Sequence, residues 1–383
     1  MDAKDKLSAH MTERYKELKK KREEGVKIIG YTPGGYMPEE LVYAAGAIPV
    51  CLFRGGDHEA VAESAAYLPR FLDTFCRSQI GYKMLGEPLY QMIDLLIVPV
   101  TDTNMRSIAD SLNYYTDTKI FRYGVPHNKE EGAYNYYLEG LSLLKEKLED
   151  FTGNKIDDGK LREAVELGNK MRSLFKEISL LRKQDKLPIS GQEFVKLSHA
   201  SYIADLPVFV EILESLLAEL KNKEGEKLSG PRLLMTGSTL AMGDYKMFEL
   251  VEGAGSDIVV EEFAEGVRPY WDNVEMNGGS ILKAIADTYF MKRNPPAWNR
   301  PSGERIDYIL NLAKEFKVDG LLWYQTMYRD GYDLQSLYFE KKIKDKANLP
   351  MLKIETDYDV SEKGPFRTRI EAFVEMLNQK RGL

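Results

Sequence analysis

The chain has 383 residues, 43% hydrophobic and 30% charged, with a formal net charge of −7. That length exceeds one small core and points to two domains, and the acidic balance argues against a nucleic-acid or anionic-membrane partner. Two cysteines, Cys51 and Cys76, are too few for a disulfide framework or for the four thiolates of a structural zinc.

Residues 1–24 read as a charged helical arm with Leu7, Met11, Tyr15 and Leu18 on one face. The basic cluster at 19–22 is balanced by Glu17, Glu23 and Glu24, so it reads as a solvated face. No apolar run reaches membrane-spanning length and the N-terminus lacks a signal-peptide core, which makes the cytoplasm the expected compartment. Residues 26–31 are an apolar run of strand length, stopped by Thr32, Pro33, Gly34 and Gly35. Pro38 suits a first helical position, and Glu39 and Glu40 put negative charge at the positive end of the helix dipole. Gly46 ends that helix and 48–53 resumes as strand, so 26–53 is one βαβ unit. The stretch 59–84 follows, broken by Pro69 and holding Cys76. Leu95–Val100 is continuously apolar, as in a strand covered on both faces. Thr101, Asp102, Thr103 and Asn104 are helix-capping residues ahead of a helix over 105–115, and 119–126 is another strand. Residues 25–129 are thus a first α/β domain.

From 130 to 221 the pattern is helical, divided near Gly153, at 187–191 and at Asp205-Leu206-Pro207. Residues 222–231, NKEGEKLSGP, are a polar linker. Over 232–383 a second α/β domain is expected, with strands at 232–236, 257–261, 320–325 and 351–355. Its helices fall at 245–253, 281–291, 304–316, 334–346 and 366–380, with Asn294, Pro295 and Pro296 as breakers. The fold class is α/β, with two doubly wound parallel-sheet domains joined by a helical segment and a cleft between their strand ends.

Ligands in such folds bind past the carboxyl ends of strands. The cleft candidates are therefore Thr32, Gly34, Gly35, Thr101, Asp102, Thr103, Arg268, Gln325 and Arg329, with 237–240 and 356–358. Gly34-Gly35 offers a tight turn but no GxGxxG fingerprint, and no P-loop occurs. The four histidines, His10, His58, His127 and His199, lack metal-ligand spacing and read as surface or loop residues. Cys51 reads as packing. Cys76, beside Arg77, reads either as a thiol of lowered pKa or as a buried structural one.

Specific segments carry a resemblance. GYTPGGYMPEELVYAAGAIPV is similar to the opening signature of the benzoyl-CoA reductase / 2-hydroxyacyl-CoA dehydratase family. LPRFLDTFCRSQIGY, LLIVPVTDTNMRSIADSL, VDGLLWYQTMYRDGYD and LPMLKIETDY, followed by FRTRIEAFVEML, agree with it in order, and so does the helical segment. The resemblance implies a subunit of a catalytic component built from two related chains. It implies a [4Fe-4S] cluster held by three cysteines between the domains and facing an acyl-CoA. A separate homodimeric activator, the site of ATP hydrolysis, delivers one electron, and the thioester becomes a ketyl radical that loses its 2-hydroxyl group or proceeds to ring reduction.

At the positions that the resemblance assigns to cluster ligands this chain departs from the pattern. Cys76 is present and is the one metal-ligand candidate; Thr101-Asp102 stands in place of a Cys-Asp step, and Tyr328-Arg329-Asp330 in place of the third cysteine. Asp102 is a hard oxygen donor and Arg329 cannot ligate a metal. Family cysteines near Ala264 and Pro295-Pro296 are also missing. A conventional cluster is therefore not expected here, and an Arg329–Asp102 ion pair is expected to fill the site. The working cluster would belong to a homologous cysteine-bearing subunit. Two alternatives remain open: a stand-alone clusterless enzyme that binds an acyl-CoA, another thioester or a flavin, and a non-catalytic scaffold or regulatory subunit.

Overall fold

Eight apolar runs of four to seven residues build two parallel sheets, seen in a computed structural model that describes residues 2–228, 230–293 and 297–382. In the first, Ile28–Tyr31 (β1), Ile48–Cys51 (β2), Leu95–Val100 (β3) and Ile120–Gly124 (β4) stand in the order β2-β1-β3-β4. Lys186–Leu187 (β5) and Glu226–Lys227 (β6) form a small antiparallel pair. The second sheet contains Arg232–Gly237 (β7), Asp257–Glu262 (β8), Gly320–Thr326 (β9) and Met351–Thr356 (β10) in the order β10-β9-β7-β8. The central strands β1, β7 and β9 are buried throughout and β3 nearly so, as strands covered on both faces must be, whereas edge strands β4 and β10 expose more of their length. Both sheets are flanked by helices, which gives the doubly wound α/β class.

Registers bring the strand exits level. Tyr31 faces Cys51 and Ile97, Gly237 faces Tyr324, and Thr326 faces Thr356. At Gly237 the chain passes so close to the Tyr324 carbonyl that a Cβ would collide with it, and its φ of 151° adds to the demand for glycine.

Core packing ties the parts together. Ile281, Ile285, Ala286, Tyr289 and Phe290, which follow the second sheet's β8 in sequence, sit in the core of the first sheet, where Phe290 stacks on Tyr137. The helical segment is not a bare connector: Phe175, Phe194, Phe209 and Leu213 share a core with Leu234, Val260 and Trp323 of the second sheet. The opposite face of that sheet is covered by Lys246–Gly253 and Lys363–Arg381. Each such buried aliphatic or aromatic side chain contributes about 1.5–3 kcal/mol, so separating these layers would be costly. The N-terminal helix Ala3–Glu23 bridges both cores, with Leu18 in the first and Ala3 in the second. Its Arg14 is buried and donates Nε to the Ile203 carbonyl at 2.7 Å.

Some expectations need adjustment. The helix expected at 334–346 runs over Asp330–Ala347, with Arg329 in the N-cap position but without a side-chain cap hydrogen bond. The helix expected at 281–291 is α-helical only over Ile281–Ala286 and widens to a π-helix over Asp287–Lys292. Short helices at Pro88–Met92 and Val267–Tyr270, and the pair of β5 in the expected helical segment with β6 in the expected linker, went unpredicted because such short segments carry little periodicity. Asn294, Pro295 and Pro296 lie outside the described residues, as does Ser229 of the linker. No helix among the described residues is long and apolar enough to cross a membrane.

Candidate functional site

Three helices begin where strand exits of the two sheets meet: Thr74–Met84, Thr103–Tyr115 and Asp330–Ala347. The first two are capped by aspartates. Asp73 Oδ1 accepts the Phe75 N–H at 2.9 Å and Asp102 Oδ1 accepts the Met105 N–H at 2.9 Å. Each carboxylate thus sits at the positive end of a helix dipole, satisfying otherwise unpaired amides. Their second oxygens converge on Arg329. Its guanidinium donates to Asp102 Oδ2 at 2.7 Å and also to Asp73 Oδ2. Arg329 is 5% exposed and Asp73 fully buried. Burial opposes the charge, but Asp102 and Asp73 outweigh it and hold the guanidinium well above its usual range. Tyr328, just before Arg329, has a φ of 63°, a conformation that costs a non-glycine residue about 1–3 kcal/mol and is found where surrounding structure demands it. A hydrogen bond from the Thr74 amide to the Met327 carbonyl (3.3 Å) fastens the same seam.

The expected ion pair between Arg329 and Asp102 is present, and Cys76 lies beside it, with Sγ 3.8 Å from Asp73 Oδ2. Of the two readings of Cys76, the lowered pKa does not hold. Burial pushes the thiol up, Asp73 pushes it further, and Arg329 only partly opposes them. Asp73 was missed. Its place one residue before a helix was legible as a cap; its second oxygen's partner, 256 positions away, was not.

The other candidates are distributed around this seam. Gly34 and Gly35 turn with φ of 140° and 80°, conformations that favour glycine, and Gly34 lies against Thr101. Thr32 is buried and its amide bonds to the Ile97 carbonyl, while Thr103 is exposed. His127 donates Nε2 to the Thr101 carbonyl at 2.6 Å. Gln325 does not join the cleft: it accepts from Trp323 Nε1 and donates to Glu355. Arg268 belongs to a separate buried network. There Glu262 accepts from Arg268 Nε at 2.7 Å, from Arg305 at 2.9 Å and from Thr236 Oγ1 at 2.6 Å. Burial favours the neutral acid, but Arg268 and Arg305 overcome it and bring the Glu262 pKa to about 2.

Near the Gly34-Gly35 turn two carboxyls behave in the opposite way to Glu262. Burial raises both Glu39 and Glu265 to about 7. Glu39 lies deep in the protein yet stays partly accessible because it borders a cavity. Glu265 accepts the Leu240 N–H at 3.2 Å. His199 is not a surface residue as expected. It is 1% exposed, with Nδ1 3.0 Å from the Tyr245 hydroxyl, and burial lowers its pKa to about 3.

The raised pKa of Glu265 has a measurable result. Below pH 4.5 the acid is neutral in both folded and unfolded chains. Between 4.5 and about 7 the unfolded chain ionises while the folded one holds its proton, so stability falls as pH rises, by roughly 3 kcal/mol in all. Glu265→Gln keeps an oxygen for Leu240 but cannot ionise. It should therefore raise the urea midpoint relative to the parent at pH 8 and leave it unchanged at pH 4. Equal shifts at both pH values would contradict this reading.

Comparison with known proteins adds the family. The family model described as 2-hydroxyglutaryl-CoA dehydratase, D-component, matches residues 35–377. The chain is 26% identical to the (R)-phenyllactyl-CoA dehydratase beta subunit of Clostridium sporogenes, covering 94% of each. It is 24% identical to the (R)-2-hydroxyglutaryl-CoA dehydratase beta subunit of Acidaminococcus fermentans, over 94% of this chain and 95% of that one. It is 26% identical to a benzoyl-CoA reductase subunit of Thauera aromatica, over 62% and 61%. With two parallel sheets whose strand exits meet at one seam, and a match over nearly its whole length, the chain belongs to the family of 2-hydroxyglutaryl-CoA dehydratase D-components, subunits of acyl-CoA dehydratases and reductases.

Proposed function

We propose that this chain is the clusterless subunit of an ATP-activated, radical-type 2-hydroxyacyl-CoA dehydratase or benzoyl-CoA reductase complex in the cytoplasm. It pairs with a homologous cysteine-bearing subunit and is served by a separate ATP-dependent activator. The observation that carries the reading is Arg329, fixed between Asp73 and Asp102 where the family resemblance puts cluster thiolates. The donors at that position do not fit a [4Fe-4S] cluster, which needs several thiolates. One thiol is available, buried and held protonated. Both carboxylates are engaged by helix amides and by Arg329, and a fixed guanidinium repels a metal cation. A subunit of this kind contributes structure and part of the substrate passage, and the chemistry of the cluster belongs to its partner.

The test is anoxic co-expression of this chain, tagged, with a three-cysteine homologue. The two should co-purify as a heterodimer or a dimer of heterodimers. Iron and sulfide should follow the partner, and the chain purified alone should be pale with well under one cluster per chain. Stoichiometric iron and sulfide on the isolated chain, with a visible absorption lost in Cys76→Ala, would overturn the proposal, as would elution of this chain as a monomer beside the co-expressed homologue.

A further inference from the structure

A cavity of about 50 Å³ lies where the Gly34-Gly35 turn meets Glu39, Ala264, Pro269 and Arg293. A single water needs about 10–15 Å³ of such space, so a ligand of roughly three or four non-hydrogen atoms would fill it. What the wall lacks is a counter-charge for Arg293. This side chain is 3% exposed; its terminal nitrogens donate to the Gly35 and Pro269 carbonyls, and its guanidinium lies over the Tyr289 ring. Among the described residues no carboxylate, Glu39 included, stands within ion-pair distance of it. Neighbouring buried arginines are built differently. Arg172 meets Glu40, Arg268 and Arg305 share Glu262, and Arg329 is held by Asp73 and Asp102.

Further donors on the same wall are uncommitted. A guanidinium carries more N–H groups than the carbonyls bound to Arg293 occupy. The amides of Gly34 and Gly35 donate to no acceptor among the described residues, and successive amides in a turn are anion-binding groups. One oxygen of Glu39 accepts from the Tyr31 hydroxyl; the other has no hydrogen-bond partner among the described residues. Burial raises this carboxyl to about 7, so near neutral pH it keeps a proton to donate. The hydroxyls on the wall are occupied. Tyr202 donates to the Ala264 carbonyl at 3.2 Å, Tyr289 to Glu40 at 2.8 Å and Ser201 to the Ser198 carbonyl at 2.6 Å.

We infer that this cavity is a site for a small free oxyanion, of the size of formate or bicarbonate, held by the Arg293 guanidinium, the Gly34 and Gly35 amides and the protonated edge of Glu39. Such an ion supplies the counter-charge that a buried guanidinium otherwise lacks at a cost, and its oxygens suit the planar donor fork. It also fastens the two sheets together, since the Gly34-Gly35 turn follows β1 whereas Ala264 and Arg293 follow β8. The groups that face Glu39 leave the site positive. Burial pushes Tyr31, Tyr43, Cys51, Tyr202 and Tyr289 up, so they stay neutral, and Glu40 is matched by Arg172. Glu265, beside Ala264, titrates in the same range as Glu39. A substitution at Glu39 is therefore needed to tell the two apart.

Sodium formate is the probe, titrated calorimetrically into the full chain, with sodium chloride and sodium sulfate at matched ionic strength as comparators. Formate should bind about tenfold more tightly than either and should raise the urea midpoint saturably. Its affinity should fall about tenfold between pH 6 and pH 8 as Glu39 loses its proton. Glu39→Gln, which keeps a donor and cannot ionise, should bind formate without that fall. Arg293→Gln should abolish binding by removing the charge, and Ala264→Leu by filling the space. Where one of these two does not fold, the other and the parent titration decide. Equal responses of the parent to the three anions would overturn the proposal, as would formate binding that survives in a folded Arg293→Gln or Ala264→Leu chain. A fall with pH that persists in Glu39→Gln would overturn the part given to Glu39. Pairing with a second subunit is not a condition of this test, so either reading can fail while the other stands.

Discussion

Replacing Arg329 with alanine is expected to destabilise the chain by about 3–5 kcal/mol, measured as a fall in the urea midpoint at constant slope. The reason is what remains behind. Asp73 is fully buried and Asp102 nearly so, and both point a carboxylate oxygen at the vacated space. Removing one member of a buried ionic group leaves uncompensated charge, which costs far more than the net worth of the intact group. Arg329→Lys should recover only part of the loss, because an ammonium lacks the planar fork that serves two carboxylates at once. The pair Arg329→Ala and Asp102→Ala should be non-additive, the double variant costing less than the two single changes together. Strict additivity, or a single-variant loss below about 1 kcal/mol, would mean that the seam does not depend on this bridge. High salt should change these values little, since the group is shielded from solvent ions.

A loss of similar size is expected for Glu262→Ala. Glu262 is 0% exposed and is the carboxylate shared by Arg268 and Arg305, themselves 3% and 1% exposed. Without it two buried guanidinium groups face one another, for a cost of about 3–5 kcal/mol. The parent chain should also show the acid signature of this group. The folded carboxyl has a pKa of about 2 against 4.5 when unfolded, so its contribution is complete above 4.5 and is lost as pH falls through 2, in total roughly 3 kcal/mol. His199 acts in the same direction at higher pH. Its folded pKa of about 3 means that below 6.5 the unfolded chain gains a proton that the folded chain refuses. Between pH 7 and 4.5 that loss runs against the gain from Glu39 and Glu265, which keep their protons in the folded chain, so the net acid loss should set in below 4.5, where Glu262 contributes. Glu262→Gln should flatten the part between pH 4.5 and 2 and leave the part near pH 6 unaltered. A Glu262→Gln profile parallel to the parent throughout would show that Glu262 is not the group responsible.

The positions of strands and helices were legible because their determinants are local. The run LLIVPV is apolar throughout and reads as a covered strand; Asp102 before TNMRSIAD reads as a cap; Gly34-Gly35 reads as a sharp turn. The order of such signals along the chain was enough for two parallel sheets and, with the quoted segments, for the family. The family resemblance marked Arg329, which follows an apolar strand at the position of a cluster cysteine and needs a counter-charge there. Its pairing with Asp102, 227 positions earlier, was inferred from the correspondence of the two strand exits.

What only the tertiary structure decided is burial and its electrostatic outcome. His199 sits in a helix whose sequence carries no mark of the Phe53 and Tyr245 rings that enclose it. Cys76 is followed by an arginine that promised a low pKa, but the groups that face its sulfur are Asp73 and a dry interior. Glu39 and Glu40 are adjacent and alike in sequence. Glu40 meets Arg172 and Tyr289, while Glu39 meets Tyr31 and a cavity. Propensity and periodicity act over a few residues, so the sequence determines elements and their faces. The charge state of a side chain depends instead on the dielectric and the partners around it, which here include Arg172, 132 positions from Glu40, and Arg329, 256 positions from Asp73.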